Sequence, residues 1–365
     1  MTDRPLESIE IEGYTSIRDT RVELGKLNVL VGANGAGKSN FIHALEMLGR
    51  IVDQRLGLFV GLNGGASALL HRGDGTAHIK LRLNAPPNAY EAVLVPAAND
   101  ELIFEREAVE FQGLGHDRPW TSGLGSGQRE TRLAESQEPV AGYVKELLRG
   151  CRVYHFHDTS RDAPVKQMVP TADNIKLRDD AGNLAAVLLA LRNGSSVEEQ
   201  ASYKRIVGTI RLVAPFFRDF VLERERGDHL RLRWTQNDSD AVFSADQMSD
   251  GTLRFVCLAT LLLHPWPPAL VVLDEPELGL HPSAIVHLAE LLRRASVHSQ
   301  VIIATQSVTL MNQFELGDLI VVERVAGASV LTRPNADELQ DWLAEYSLGE
   351  LWEKNLLGGR PSGNS

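Results

Sequence analysis

Gly32-Ala33-Asn34-Gly35-Ala36-Gly37-Lys38-Ser39 follows an apolar run, Leu27 to Val31, and precedes a helix-like segment, Asn40 to Val52. A strand, a GxxxxGK[ST] turn and a helix in that order form a phosphate cradle. The glycines let the loop wrap so that its backbone N–H groups face inward, and the following helix adds its positive end. Lys38 is placed to reach the β- and γ-phosphates as a point charge, and the Ser39 hydroxyl to ligate Mg²⁺. The expected phosphate-binding set is Asn34, Gly35, Ala36, Gly37, Lys38, Ser39 and Asn40.

The chain has 365 residues, enough for one large α/β unit with lobes or for two domains. Apolar content of 43% and charge of 23% are those of an ordinary globular protein. Its two cysteines, Cys151 and Cys257, lie in apolar surroundings, which argues against a disulfide framework and for a reducing, cytoplasmic setting. Asp3 and Arg4 lead straight into a strand pattern, so no N-terminal signal is expected. The longest apolar stretch, Phe255 to Leu270, is broken by His264, Pro265, Pro267 and Pro268, so no membrane span or membrane partner is expected. A net charge of −11 excludes a surface that binds nucleic acid throughout and leaves room only for a local basic strip.

Residues 1–112 read as a β-rich first lobe. It has strand-like runs through Leu6, Ile9 and Ile11, through Val22 and Leu24, and over Leu27 to Val31. A turn-rich stretch from Gly57 to Gly75 precedes a meander of His78–Leu83, Tyr90–Pro96 and Glu101–Phe111. Residues 113–139, dense in Gly, Ser and charge, read as a mobile loop. Residues 140–250 read as a helical and hairpin region. Its helices are Val140–Leu148, Asn183–Leu191 and Val197–Val213, with a short strand at Cys151–Phe156. Its hairpin is Phe220–Arg226, turning at Gly227-Asp228 into His229–Thr235. Residues 251–335 return to α/β alternation with short, continuous apolar strands that suit a covered parallel sheet. Residues 336–365 form a C-terminal segment.

Within the α/β part, Leu270 to Leu273 end in Asp274-Glu275-Pro276. An apolar strand ending in two acids supplies what a phosphoryl-transfer site needs beside its phosphate loop. Asp274 is the candidate metal ligand and Glu275 the candidate base for the attacking water. Upstream, Met248-Ser249-Asp250-Gly251-Thr252 opens a helix; taken alone, that stretch is also an ordinary N-cap turn.

Taken together, these segments resemble the ATPases of the ATP-binding-cassette type, nearest to the heads of the RecF, SMC and OLD (overcoming lysogenisation defect) group. The resemblance implies that Ser249 and Gly251 cap the γ-phosphate of ATP held by a second subunit. Asp250 and Thr252 depart from the transporter spelling of that motif. Glu277-Leu278-Gly279-Leu280-His281-Pro282 is similar to the stretch that stand-alone RecF-like ATPases carry after the acidic pair, which places it at a dimer interface. Gln306, after Ala304-Thr305, stands where the group has its switch residue, often His; a Gln bonds the lytic water but takes up no proton near neutral pH, so slow hydrolysis is implied. The segments Tyr14–Asp19, His155–Ser160, Asn183–Leu188 and Tyr346–Trp352 extend the likeness over nearly the whole chain. For the Mg²⁺-sensing Gln that the group carries at its lobe junction, Gln167, His157 and Asp158 are all candidates.

By that likeness the fold is α/β, a P-loop NTPase of the ABC-ATPase head type. A β-rich lobe I is joined to an α/β lobe II with a helical insertion. The chain is identified as a member of the bacterial stand-alone RecF-like ATPases, an ABC/SMC/OLD-type branch of the AAA family, with ATP and Mg²⁺ as cofactors. Its implied catalytic residues are Glu275, Gln306 and Lys38, and its metal ligands Ser39 and Asp274. The implied partner is a second copy of the chain, in a head-to-tail, ATP-dependent homodimer. The role expected first is work on DNA in repair or genome maintenance; the alternative is an ATP-driven sensor or regulatory subunit of an anti-phage defence module with a separate effector, and the third a transporter ATPase subunit. The basic residues from Lys204 to Arg233 are the only candidate DNA strip, and interleaved Glu223, Glu225 and Asp228 favour a solvated face.

Overall fold

The computed structural model describes residues 5–73, 77–113, 118–225 and 227–358. Expectations that rest on Asp3, Arg4, Gly75 and Arg226 lie outside them, as does part of the 113–139 segment. The chain divides into two compact units: Met1–Val153 with Ala269–Val272 and Gln300–Ser365, and Tyr154–Pro268 with Leu273–Ser299.

In the first unit, β1 (Ser8–Tyr14) and β2 (Ile17–Glu23) form a hairpin, and β3 (Leu27–Val31) leads through the glycine loop into α1 (Lys38–Val52). The short helices α2 (Leu56–Leu62) and α3 (Ala66–Leu69) follow, then β4 (Ile79–Ala85), β5 (Asn88–Pro96), β6 (Leu102–Phe111) and β7 (Trp120–Gly125). One antiparallel sheet runs β2-β1-β4-β5-β6-β7. In β4 the apolar Ile79, Leu81 and Leu83 are buried and alternate with half-buried Lys80 and Arg82, the period-2 pattern of a one-sided sheet. Those inward side chains share a core with Ile9, Ile11, Phe41, Leu45, Leu48 and Phe104. Each large side chain of that core contributes about 2 kcal/mol by leaving water. The next elements are α4 (Pro139–Gly150) and β8 (Val153–Tyr154).

Two stretches depart from the sequence reading. The turn-rich stretch from Gly57 holds α2 and α3, which bury Leu56, Phe59, Val60, Ala66 and Leu69. The segment expected to be a mobile loop carries β7, paired with β6 from Phe111↔Trp120 to Glu107↔Gly125. Glu107 anchors it. The fully buried carboxylate accepts hydrogen bonds from Tyr90 Oη at 2.9 Å, Gln128 Nε2 at 3.2 Å, Arg132 N at 3.1 Å and the Thr131 hydroxyl. A bulge lets Val93 pair with Arg106 and Leu94 with Phe104, skipping Glu105. It breaks the alternation that would otherwise be read off β6.

In the second unit, β9 (Val169–Pro170) precedes α5 (Leu184–Asn193) and α6 (Val197–Val213), the latter opened by a Ser196/Glu199 capping box. The small strands β10 (Phe217–Phe220), β11 (His229–Leu230), β12 (Arg233–Gln236) and β13 (Val242–Ser244) come next. The expected hairpin is altered: β10 starts at Phe217 and pairs with β12, while β11 pairs with β9. Trp234 is the cause, being buried and stacked between Phe217 and Phe243. Then come α7 (Asp250–Leu262), β14 (Leu270–Asp274), whose residues up to Val272 belong to the first unit, and α8 (Pro282–Ala295). The chain re-enters the first unit with β15 (Gln300–Thr305), α9 (Val308–Met311), β16 (Leu319–Val325), β17 (Ala328–Thr332), α10 (Ala336–Leu343) and α11 (Leu348–Glu353).

The second six-stranded sheet has the order β17-β16-β3-β15-β14-β8. All five residues of β3 are buried, and its two neighbours run parallel to it, with Leu319↔Val29 on one side and Thr305↔Val31 on the other. The sequence reading put this α/β core in residues 251–335, apart from lobe I. The sheet is instead built around the strand that carries the phosphate loop, so β15 to β17 belong to the first unit. Pairings between strands some 270 residues apart leave no local mark on either. Gln300 fastens the arrangement: its amide accepts from Leu6 N at 3.0 Å and donates to Leu6 O and Gly25 O, each at 2.8 Å.

Glu107→Ala strips several buried donors of their acceptor and should destabilise the protein by about 3 kcal/mol, read as a lower urea midpoint. Burial pushes the thiols of Cys151 and Cys257 up to about 12. Neither should react with an aromatic disulfide reagent at pH 8 until denaturant is added, when both react; a thiol titrated in the folded state contradicts this packing.

Candidate functional site

The first unit builds the phosphate loop from backbone. Gly35 and Gly37 have φ of 77° and 114°, in the left-handed region open to glycine. A Cβ on Gly37 would lie 2.0 Å from Ser329 Oγ, so only glycine fits there. Ser329, on β17, donates to Ala36 O at 2.6 Å and lies 2.6 Å from Ser16 Oγ. Asn40 Nδ2 donates to Ser16 Oγ at 2.6 Å, so this predicted phosphate contact faces the β1–β2 turn and braces the loop. Ser16 lay inside the Tyr14–Asp19 likeness without a role and nothing local marked Ser329, because the two are more than 300 residues apart.

Gly37 is the N-cap of α1, which has no side-chain cap and no acid in its first turn. Its leading N–H groups are therefore presented by geometry to an anion rather than to the protein's own carboxylates. The buried Lys38 ammonium donates to Gly32 O at 2.8 Å and Ala33 O at 3.1 Å, which holds it over the loop. Asn34, Gly35 and Ser39 are exposed at its surface, while Ala36 is buried. On the adjacent strand, the pairing of Thr305 with Val31 puts Gln306 beside the start of the loop, half-buried.

The second unit holds the acidic end of β14. Oδ1 of Asp274 is buried without a hydrogen-bond partner among the described residues, which suits a carboxylate that meets a cation or a water. The next residue, Glu275, has φ of 44°, a left-handed conformation that a non-glycine residue keeps only when its surroundings hold it. Of the three candidates for the lobe-junction residue, His157 reaches the acidic strand: its Nε2 donates to Asp274 O at 2.9 Å. Gln167 bonds Arg161 O at 3.3 Å, and Asp158 caps Ser160 N at 2.9 Å.

Ser249 is the N-cap of α7, accepting from Thr252 N at 3.3 Å, with the two hydroxyls 2.7 Å apart. Gly251 faces the turn after the acids, where a Cβ would lie 2.4 Å from Gly279 O. The predicted Ser249 and Gly251 motif and the Glu277–Pro282 stretch thus pack against each other. Arg254, which the sequence reading passed over, bonds Leu278 O and His157 O; a lone charge inside the apolar run Leu253 to Leu263 was its only signal.

Residues 27–312 match the family described as "AAA domain, putative AbiEii toxin, Type IV TA system". Two solved structures are similar. One is the Smc head bound to the C-terminal winged-helix domain of ScpA, with 17% identity, a TM-score of 0.56, and 92% of this chain and 99% of that chain covered. The other is the Smc head domain with an extended coiled coil bound to the C-terminal domain of ScpA from Pyrococcus furiosus, with 16% identity, a TM-score of 0.54, and coverage of 94% and 99%. No curated protein matches the chain. At such identities the likeness speaks for the fold, an ABC-type ATPase head. The family match runs from the strand before the phosphate loop to α9, and so the chain belongs to this AAA-domain family and is an ATPase.

Proposed function

We propose that the protein binds Mg-ATP between two copies arranged head to tail, hydrolyses it slowly, and acts as the ATP-driven sensor or regulatory subunit of a defence module. The carrying observation is the glycine loop, with an uncapped helix N-terminus and a lysine held across it. Backbone N–H groups from Asn34 to Asn40 and the Lys38 ammonium bind the β- and γ-phosphates. Mg²⁺, when bound, neutralises phosphate charge; Ser39 and Asp274 are the oxygen donors that suit it. Glu275 accepts a proton from the attacking water, and Gln306 orients that water without carrying a proton. Ser249 and the N–H groups at Gly251 complete the site of the partner subunit.

Two observations favour defence over direct work on DNA. The family description names a toxin of a toxin–antitoxin system. The basic strip is also largely paired: Arg224 with Asp228, Arg231 with Glu225 and Arg233 with Glu223 and Glu225. Arg218 lies 3.8 Å from Asp240, and Arg211 is engaged by the Arg218 carbonyl. Arginines matched to carboxylates within one unit add little attraction for phosphate backbones, on a chain whose net charge is −11. The transporter role ranks last, because the Glu277–Pro282 stretch and Gln306 do not look like those of a transporter cassette. The effector is then a separate protein.

Lys38→Ala should lose ATP binding by calorimetry. Glu275→Gln should keep ATP but turn it over about a hundredfold more slowly. With saturating Mg-ATP, Glu275→Gln should scatter light as a dimer; a monomer there contradicts the sandwich. Ser249→Arg should block dimer formation without weakening ATP binding by the monomer. The ATP-locked Glu275→Gln dimer should not retain DNA or RNA at low salt, and tight retention would restore the genome-maintenance role.

A further inference from the structure

Arg254 ties together three segments of the second unit. It sits on α7, about one turn past Ser249 and Asp250. Its Nη1 donates to Leu278 O at 2.9 Å, in the turn that follows the acids, and its Nη2 donates to His157 O at 2.9 Å. His157 in turn donates from Nε2 to Asp274 O at 2.9 Å. The path from the head of α7 to the end of β14 is therefore continuous: guanidinium, His157 backbone, His157 imidazole, Asp274 carbonyl. The position of the guanidinium is over-determined. A Cβ on Gly279 would lie 2.5 Å from Nη1, and Gly251 lets the same helix approach Gly279 O. The fork of a guanidinium can bond two carbonyls in fixed directions, whereas a lysine ammonium is a point charge on a flexible stem.

The last link bears on the chemistry. The Asp274 carbonyl belongs to the peptide that joins Asp274 to Glu275. A hydrogen bond on that oxygen fixes the plane of the peptide, and with it the φ of Glu275, which at 44° lies where a glutamate does not rest unaided. The hydrogen-bond path from Arg254 thus ends on the peptide that sets the φ of Glu275.

We propose that Arg254 is a positioning residue that couples the Ser249 turn to Glu275 of the same subunit. ATP seated by a partner subunit against Ser249 then sets the hydrolytic geometry of the subunit that offers the turn. The inference rests on the two-copy ATP reading for what loads the turn, and on this chain's hydrogen bonds alone for the link to Glu275.

Steady-state ATP turnover of wild type, Arg254→Lys and Arg254→Ala tests it. Both variants should lose at least tenfold in kcat while KM for ATP changes less than twofold, since the phosphate loop is untouched. Guanidinium chloride at a few millimolar, well below denaturing levels, should restore part of the kcat of Arg254→Ala and nothing to Lys38→Ala. His157→Ala should lower kcat by a similar factor, and the double variant should be little worse than either single one, because both cut the same path. Wild-type kcat in Arg254→Lys overturns the proposal. So does a loss in Arg254→Ala that guanidinium leaves untouched and that follows a fall in melting temperature. Turnover per chain that does not depend on protein concentration, with wild type monomeric under ATP, removes the partner from the reading; the Arg254 effect on kcat still decides the internal link.

Discussion

The close approach of the Gly37 backbone to the Ser329 hydroxyl governs the first unit. Gly37 can hold a φ of 114° with Ser329 Oγ where its Cβ would be, and this turn delivers the chain into α1 with no side chain over the first N–H groups. The rest follows from what must be near for the turn to hold. β17 has to present Ser329, β16 has to carry β17, and β16 has to lie beside β3, which supplies the loop. The parallel sheet thus serves as a frame for one strained corner, and the Ser16–Asn40 contact ties the antiparallel lobe to the same corner. Substituting Gly37 would disturb the anion cradle and the β17 packing together.

The second unit repeats the device with different parts. Gly251 and Gly279 bring the α7 turn, headed by Ser249, against the stretch that follows Asp274 and Glu275. The charge balance differs too. In the phosphate loop a buried lysine is held by backbone carbonyls, whereas around Asp274 an arginine and a histidine hold backbone carbonyls and leave a carboxylate oxygen without a hydrogen-bond partner among the described residues. A site that gathers polyphosphate needs a fixed cation; one that positions a metal and a water needs an oxygen whose hydrogen-bonding capacity is not already used.

The sequence made local features legible and non-local ones not. β3, α6 and β14 stood within a residue of their apolar patterns, because period and caps are written locally. The glycine loop and the acidic pair were readable for the same reason: their chemistry needs those residues at that spacing. The sheet that joins β3 to β15 and β16 was not, since its register is set between distant segments. Glu107 was hidden by a bulge that turned it inward, and β7 with it. Ser16 and Ser329 meet across more than 300 residues of sequence, and Arg254 bonds the carbonyls of His157 and Leu278, so no local pattern assigns them these roles. His157 stood among the candidates, but only its bond to the Asp274 carbonyl separates it from Gln167 and Asp158.

Hydrogen–deuterium exchange with and without Mg²⁺ and a non-hydrolysable ATP analogue tests the central claim most directly, since that claim concerns backbone N–H groups. The account predicts slowed exchange across Gly32–Phe41, at protein concentrations where copies meet also across Ser249–Leu253, and no change at β10 to β13. Unchanged exchange across Gly32–Phe41 at saturating analogue would contradict it.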